Sequence, residues 1–197
     1  MFGAAGIQKP DISVLSDAFL ETVKRSEHKH LQLELLKKLL NDEIKTQSGR
    51  NVVVARKFSE MLERTLLRYQ NRTIEAAQVI LELIEMAKQL RDAPKRGDAL
   101  GLTEDELAFY DALADHGGVR EVMGDSVLAA IAHDLVEAIR GSVTIDWTQK
   151  EAVRADMRRK VKRLLRKHGY PPDKQEGAVI VVIEQAERVC KDWARGV

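Results

Sequence analysis

Ala178-Val179-Ile180-Val181-Val182-Ile183 is a six-residue apolar run, the one stretch of this 197-residue chain that reads equally well as a buried strand or a helix. Spacing along the wider segment decides the matter. Val179, Ile183, Ala186, Cys190 and Trp193 step by four, three, four and three, which is the seam of a helix. Asp173 and Glu176 just ahead supply a start signal. With this segment helical, the chain is expected to be all-α, a bundle of about seven to eight helices joined by short connections.

Upstream, the segment 150–168 is a helix that stops at Gly169-Tyr170-Pro171-Pro172, where glycine ends the helix and two prolines prevent its continuation. Thr148-Gln149-Lys150-Glu151 reads as its capping box, and Gly141 to Trp147 as an extended crossing. A helix over 125–140 precedes it. Thr103-Glu104-Asp105-Glu106 is a second capping box, opening a helix that ends near Asp115, before Gly117-Gly118.

Four earlier helices are expected. Residues 12–25 turn Val14, Leu15, Ala18, Phe19 and Val23 inward, and 31–45 carry a stripe from Leu31 to Ile44 that Ser48-Gly49 ends. Residues 51–69 bury Val54, Phe58, Met61, Leu62 and Leu66; 73–91 bury Ala77, Ile80, Leu81, Ile84 and Ala87. The expected organisation is a small-residue lead-in over 1–10, a helical part over 11–92, a hinge loop over 93–102, and a second helical part over 103–197 packing with the first as one domain.

Composition narrows the class. Aromatics make up 5% of the chain while charged residues make up 32%, the balance of a soluble helical protein. Cys190 stands alone, so no intrachain disulfide framework exists and a reducing, cytoplasmic setting is expected. No apolar run approaches the ~20 residues of a membrane helix, and residues 1–7 lack signal-peptide features.

Charge is unevenly placed. The chain totals 32 Lys/Arg against 31 Asp/Glu, yet residues 150–167 alone hold nine bases and two acids. Val153, Met157, Val161, Leu164 and Leu165 form the inward face of that helix. Arg154, Arg158, Lys162 and Arg166 repeat every four residues along another, with Arg159, Arg163 and Lys167 beside them. Such a row suits DNA phosphates or an acidic partner, because each contact releases counterions and Arg forks onto anionic oxygens. The plainer reading is a solvated face, or pairing with the acids Glu104, Asp105, Glu106, Asp111 and Asp115. A second row, Arg64, Arg68 and Arg72, is interrupted by Glu60 and Glu63 and reads as a solvated face.

Signals for catalysis are weak. No phosphate-binding glycine loop or nucleophile elbow is present. His30 with Glu34 and His133 with Glu137 have helical ligand spacing without further ligands; His28 and Glu27 lie near the first pair. Cys190 lies on an apolar seam, and Trp147 and Trp193 read as packing anchors. Pro10-Asp11 with Glu43-Ile44-Lys45 imitates a metal-dependent nuclease pattern, but Glu43 and Lys45 fall on different faces of a leucine-striped helix. No catalytic, cofactor or metal residue is therefore assigned.

Longer strings carry a resemblance. Leu40 to Lys45, Arg56 to Leu62, Ala76 to Ile80, Leu102 to Leu113, Ile145 to Thr148 and above all Arg163 to Asp173 resemble the C-terminal region of type I restriction enzyme R subunits, over roughly residues 11–193. The resemblance implies an ATP-dependent DNA translocase and endonuclease, whose nuclease and motor domains precede a C-terminal helical domain. That subunit works with methyltransferase (M) and specificity (S) subunits and uses ATP and Mg²⁺, while S-adenosylmethionine binds the methyltransferase. Nuclease and motor motifs are missing here, so no catalytic residue carries over and no cofactor is expected. The chain is read as a fragment, or a short product, matching only the tail. The expected role is non-catalytic docking of the motor onto the methyltransferase core; the alternative is a module guiding duplex DNA along helix 150–168.

Overall fold

A computed structural model describes residues 15–141 and 151–195, the side chains of the last five excepted. Among these residues every regular element is helical: α1 (Asp17–Arg25), α2 (Lys29–Arg50), α3 (Val52–Gln70), α4 (Ala76–Asp92), α5 (Arg96–Leu100), α6 (Glu104–Ala114), α7 (Val119–Met123), α8 (Asp125–Arg140), α9 (Glu151–Lys167) and α10 (Gln175–Arg195). The apolar run 178–183 lies inside α10, where Ala178, Val179, Val182, Ile183, Ala186 and Cys190 are buried. The capping box at Thr148, the crossing over 142–147, Pro10-Asp11 and the Trp193 side chain lie outside the described residues.

The described residues group into two compact units. One comprises those up to Glu43 with Phe58–Asp92; the other comprises Ile44–Lys57 with those from Ala93 onward. Residues 44–57, read from sequence with the first half, thus group with the second. The expected hinge loop over 93–102 is mostly helical, a 3-10 turn at Ala93–Lys95 followed by α5.

In the first unit, α1 begins at Asp17, where the Ser16 hydroxyl caps it by accepting from the Phe19 N–H at 3.4 Å; residues 12–14 of the expected helix lie outside the described residues. Its buried residues are Leu20 and Val23, and Ala18 faces solvent. Helix α4 buries Val79, Ile80, Leu83, Ile84, Met86, Ala87 and Leu90, a stripe turned away from Ala77 and Leu81, which are exposed. Leu31 is likewise exposed. The buried stripe of α4 takes in the expected Ile80, Ile84 and Ala87 but also runs through 79, 83, 86 and 90, to the side away from Ala77 and Leu81.

The second unit holds a continuous core of Leu107, Phe109, Leu113, Leu128, Ile131, Leu135, Ile139, Met157, Val161, Leu165, Tyr170 and the inner face of α10. Its corners are fixed by polar contacts. Thr103 and Glu106 form the expected capping box on α6. Asp125 at the start of α8 takes a bidentate Arg120 at 2.6 and 2.9 Å and the Tyr110 hydroxyl at 2.7 Å. Those Arg120 and Tyr110 hydrogen bonds hold its carboxyl down at about 2.

Helix α2 does not stop at Ser48-Gly49. The Ser48 hydroxyl donates back to the Lys45 carbonyl at 2.7 Å and leaves the helix intact. The break falls at Asn51. Its Oδ1 caps the Val54 N–H at 3.0 Å and its Nδ2 donates to Asp111 at 2.8 Å. Gln185 of α10, fully buried, accepts from the Val52 N–H at 2.9 Å and donates to the Arg50 carbonyl at 2.6 Å. Backbone groups opened by the break are thereby satisfied inside the unit, which is what permits a break in a buried place.

Candidate functional site

Helix α9 is seated first by its apolar side. Met157, Val161 and Leu165 are buried, and Val153 and Leu164 pack against the core. Its C-terminal end is closed by Gly169 at φ +70°. The Gly169 N–H donates to the Arg166 carbonyl at 3.1 Å and the Tyr170 N–H to the Leu165 carbonyl at 2.9 Å. The Tyr170 ring beyond it is buried, its hydroxyl donating to the Leu113 carbonyl at 2.7 Å. Asp134 of α8 pairs with His168 at 2.8 Å and Lys167 at 3.3 Å, contacts that hold its carboxyl below the usual range.

The structure divides the seven basic residues singled out from sequence. Arg154, Arg158 and Lys162 do not stand free as a row. Arg154 meets Glu187 of α10 at 2.7 Å, Lys162 meets Glu176 at 2.6 Å, and Arg158 turns back to Glu151 at 3.1 Å. The Lys162 hydrogen bond lowers the Glu176 carboxyl pKa. Arg159, Arg163, Arg166 and Lys167 instead occupy the exposed side, opposite the buried stripe. Arg159 pairs within its own helix, with Asp156 at 3.3 Å. Arg163 and Arg166 have no counter-ion among the described residues. From Arg159 to Lys167 the helix contains six cations and no acid.

Four of the five acids of 104–115 are engaged by other cations. Glu104 pairs with Arg50 at 3.2 Å, Asp105 with Arg140 at 3.0 Å, Glu106 with His133 at 2.6 Å, and Asp111 with Arg96 at 2.8 Å. Internal neutralisation of α9 by those four is thereby set aside. Of the histidine pairs, His30 Nδ1 lies 3.3 Å from the Tyr69 hydroxyl, and His133 lies between Glu106 and Glu137. Among the described residues no three His, Cys, Asp or Glu side chains converge as a metal site. Arg68 of the weaker basic row is paired with Glu82 at 3.0 Å. Cys190 is buried, as its place on the seam requires.

Comparison with known proteins adds the lineage. Residues 1–192 match the family described as type I restriction enzyme HindI endonuclease subunit-like, C-terminal. The chain belongs to this family. A relative, the type I restriction enzyme HindI endonuclease subunit of Haemophilus influenzae, is 44% identical over 184 residues, covering 93% of this chain and 17% of its own length. A second, from Methanocaldococcus jannaschii and provisionally named the MjaIXP endonuclease subunit, is 36% identical over 163 residues, 82% of this chain and 16% of its own. The chain thus spans about one sixth of the curated relatives it matches. No solved structure matches it.

Within this HindI-like C-terminal region, two of the sequence strings that carried the resemblance fall on structural fixtures. Leu102 to Leu113 is the capped and doubly clamped α6, and Arg163 to Asp173 is the end of α9 with its glycine stop. One expected fixture is absent: Asp173 does not cap α10 but pairs with Lys174 at 3.4 Å, and the Gln175 amide holds the Tyr170 carbonyl at 2.8 Å. Sequence reasoning also missed Asn51, Arg96 and Gln185, whose partners lie on other helices. The exposed set on α9 could have been found by turning the wheel half a circle from Met157, Val161 and Leu165.

Proposed function

We propose that this region is a non-catalytic helical docking element that seats the motor of a type I restriction enzyme endonuclease subunit on its methyltransferase and specificity (M and S) core, in the cytoplasm. The observation that supports it is the outer face of α9. Its apolar side is locked into a core, its end is pinned at Gly169 and Tyr170, and it presents Arg163 and Arg166 without counter-ions among the described residues. A rigid, unneutralised charged face suits recognition, because little ordering entropy is lost when a partner binds. ATP and Mg²⁺ serve the motor and nuclease of the subunit; this region takes no cofactor part.

Co-purification tests this reading. The full-length endonuclease subunit is expected to assemble with M and S, and a subunit truncated before the region matching this chain is expected to retain its ATPase but lose assembly. Undiminished assembly of the truncated subunit removes the docking role.

A second reading, contact with the DNA backbone, draws on the same cations. It predicts binding to random-sequence duplex that falls steeply with salt, the log–log slope tracking the number of phosphates neutralised, and that drops when Arg159, Arg163 and Arg166 are changed to Glu. Absence of duplex binding at low salt removes it.

A further inference from the structure

Resting on the docking reading, we infer that the occupant of the α9 face is an acidic helix of a protein partner, laid along Arg159, Arg163 and Arg166. These residues form an i, i+4, i+7 pattern on the exposed side of α9. That pattern spans ~10 Å of helix axis, the spacing at which a second helix presents carboxylates from one of its own faces. Cations of α9 already meet the carboxylates of a neighbouring helix once in the fold. On the flank toward α10, Lys162 meets Glu176 and Arg154 meets Glu187, two cations of one helix matched by two glutamates of the next. Arg163 and Arg166 place two further cations on the outer side, without acidic counterparts among the described residues.

Width separates this occupant from a duplex. The outward cationic stripe is one helix across. Exposed Glu176 borders it on the α10 side, and Asp134, already held by Lys167 and His168, lies on the α8 side. A helix is ~10 Å in diameter and covers the stripe alone. A duplex carries a charge every ~1.7 Å of axis and would bring phosphates over the bordering carboxylates as well. Three of the outward cations are arginine, whose planar fork matches a carboxylate bidentately.

Photo-crosslinking in the assembled complex tests the assignment. The full-length subunit carries a photo-reactive amino acid in place of Arg159, leaving Arg163 and Arg166 intact, and is assembled with M, S and duplex DNA. The expected product joins it to a helical segment of a protein subunit bearing acids at i, i+4 or i+7. Crosslinks to DNA, crosslinks to a segment without such acids, or no crosslink from an assembled complex overturn the proposal. A charge-swap arm complements it: Arg163→Glu with Arg166→Glu is expected to weaken assembly at least about tenfold, and reversing the crosslinked acids to Lys to restore it. Failure of restoration overturns the acidic-helix assignment. Assembly that survives truncation of the whole region overturns the docking reading itself, so the two failures are distinct.

Discussion

Helices α6 and α9 carry similar concentrations of a single charge sign and put them to opposite ends. On α6, Glu104, Asp105, Glu106 and Asp111 each meet a basic side chain from another element of the same unit: Arg50, Arg140, His133 and Arg96. On α9 the flank toward α10 and the end at Lys167, which meets Asp134 of α8, are treated so, and the outer Arg163 and Arg166 are left over. A cluster of charge in a sequence is therefore ambiguous until its neighbours are placed. The acids of α6 are scaffold. The outer cations of α9 are surface.

The largest effect is expected where the α6 charge is most buried. The Asp111 side chain is 7% exposed and accepts from Arg96 at 2.8 and 3.2 Å and from Asn51 at 2.8 Å. Asp111→Ala removes all three contacts, leaves the Asn51 amide unpaired, and loosens the α2–α3 break that Asn51 caps. Because Arg96 is half exposed and can rehydrate, the cost is expected at about 2–3 kcal/mol, short of that for a fully buried pair. A urea denaturation midpoint reads it directly. A loss below about 0.5 kcal/mol would mean the contact is ornamental, and α6 would then differ little from α9.

That contact also shows where sequence stops being legible. Periodicity exposed nearly every helix, because a buried stripe needs apolar residues at fixed intervals and loops need glycine, proline or a cap. It even resolved the run 178–183, where a strand and a helix compete locally. It misplaced the end of α2, since Ser48-Gly49 is a generic breaker. Asn51 breaks the helix only because distant residues receive the groups it opens: Asp111, 60 positions on, takes its amide, and Gln185 takes the Val52 N–H and the Arg50 carbonyl. It misread α5 as a loop for a related reason: Arg96 is anchored to Asp111, and Gly97 lies so close to the Leu102 carbonyl that a Cβ there would stand 2.9 Å from it. On α9 the charge was visible but not its division, which depends on Glu176 and Glu187 of α10.

An intermediate effect is expected at Glu106 and His133. Burial would raise the Glu106 pKa, but the Thr103 N–H, His133 and the Thr103 hydroxyl outweigh it and hold the carboxyl below its usual value. The hydrogen bond to Glu106 raises His133, with Glu137 adding to it. A lowered carboxyl stabilises the fold above its unfolded value near 4.5, and that contribution is lost as pH falls through the folded pKa. A raised imidazole stabilises below its unfolded value near 6.5, and that contribution is lost as pH rises through the folded pKa. The pair is thus strongest between those two unfolded values. Glu106→Gln is expected to cost about 1 kcal/mol through the weakened cap. It should also flatten the alkaline decline in stability, measured as denaturation midpoints at about pH 5.5 and 8. His133→Ala should flatten that decline while leaving the Thr103 cap in place. A decline that persists in both variants would assign it to other groups.

The smallest effect on stability is expected where the effect on assembly is largest. Arg163 and Arg166 are exposed and lack a counter-ion among the described residues, so no ion pair among those residues is lost when they are changed. The double change Arg163→Glu and Arg166→Glu is expected to stay within about 0.5 kcal/mol of the parent by urea denaturation. A shift toward greater stability is the more informative side of that range, because residues 159–167 crowd six cations onto one helix without an acid and new carboxylates relieve their repulsion. Sites selected for folding seldom stabilise on charge reversal; sites held for a partner do so more readily, since their strain is relieved only in the complex. A loss above about 1 kcal/mol would instead give the outer face of α9 the same internal role as α6, and the contrast between the two helices would collapse.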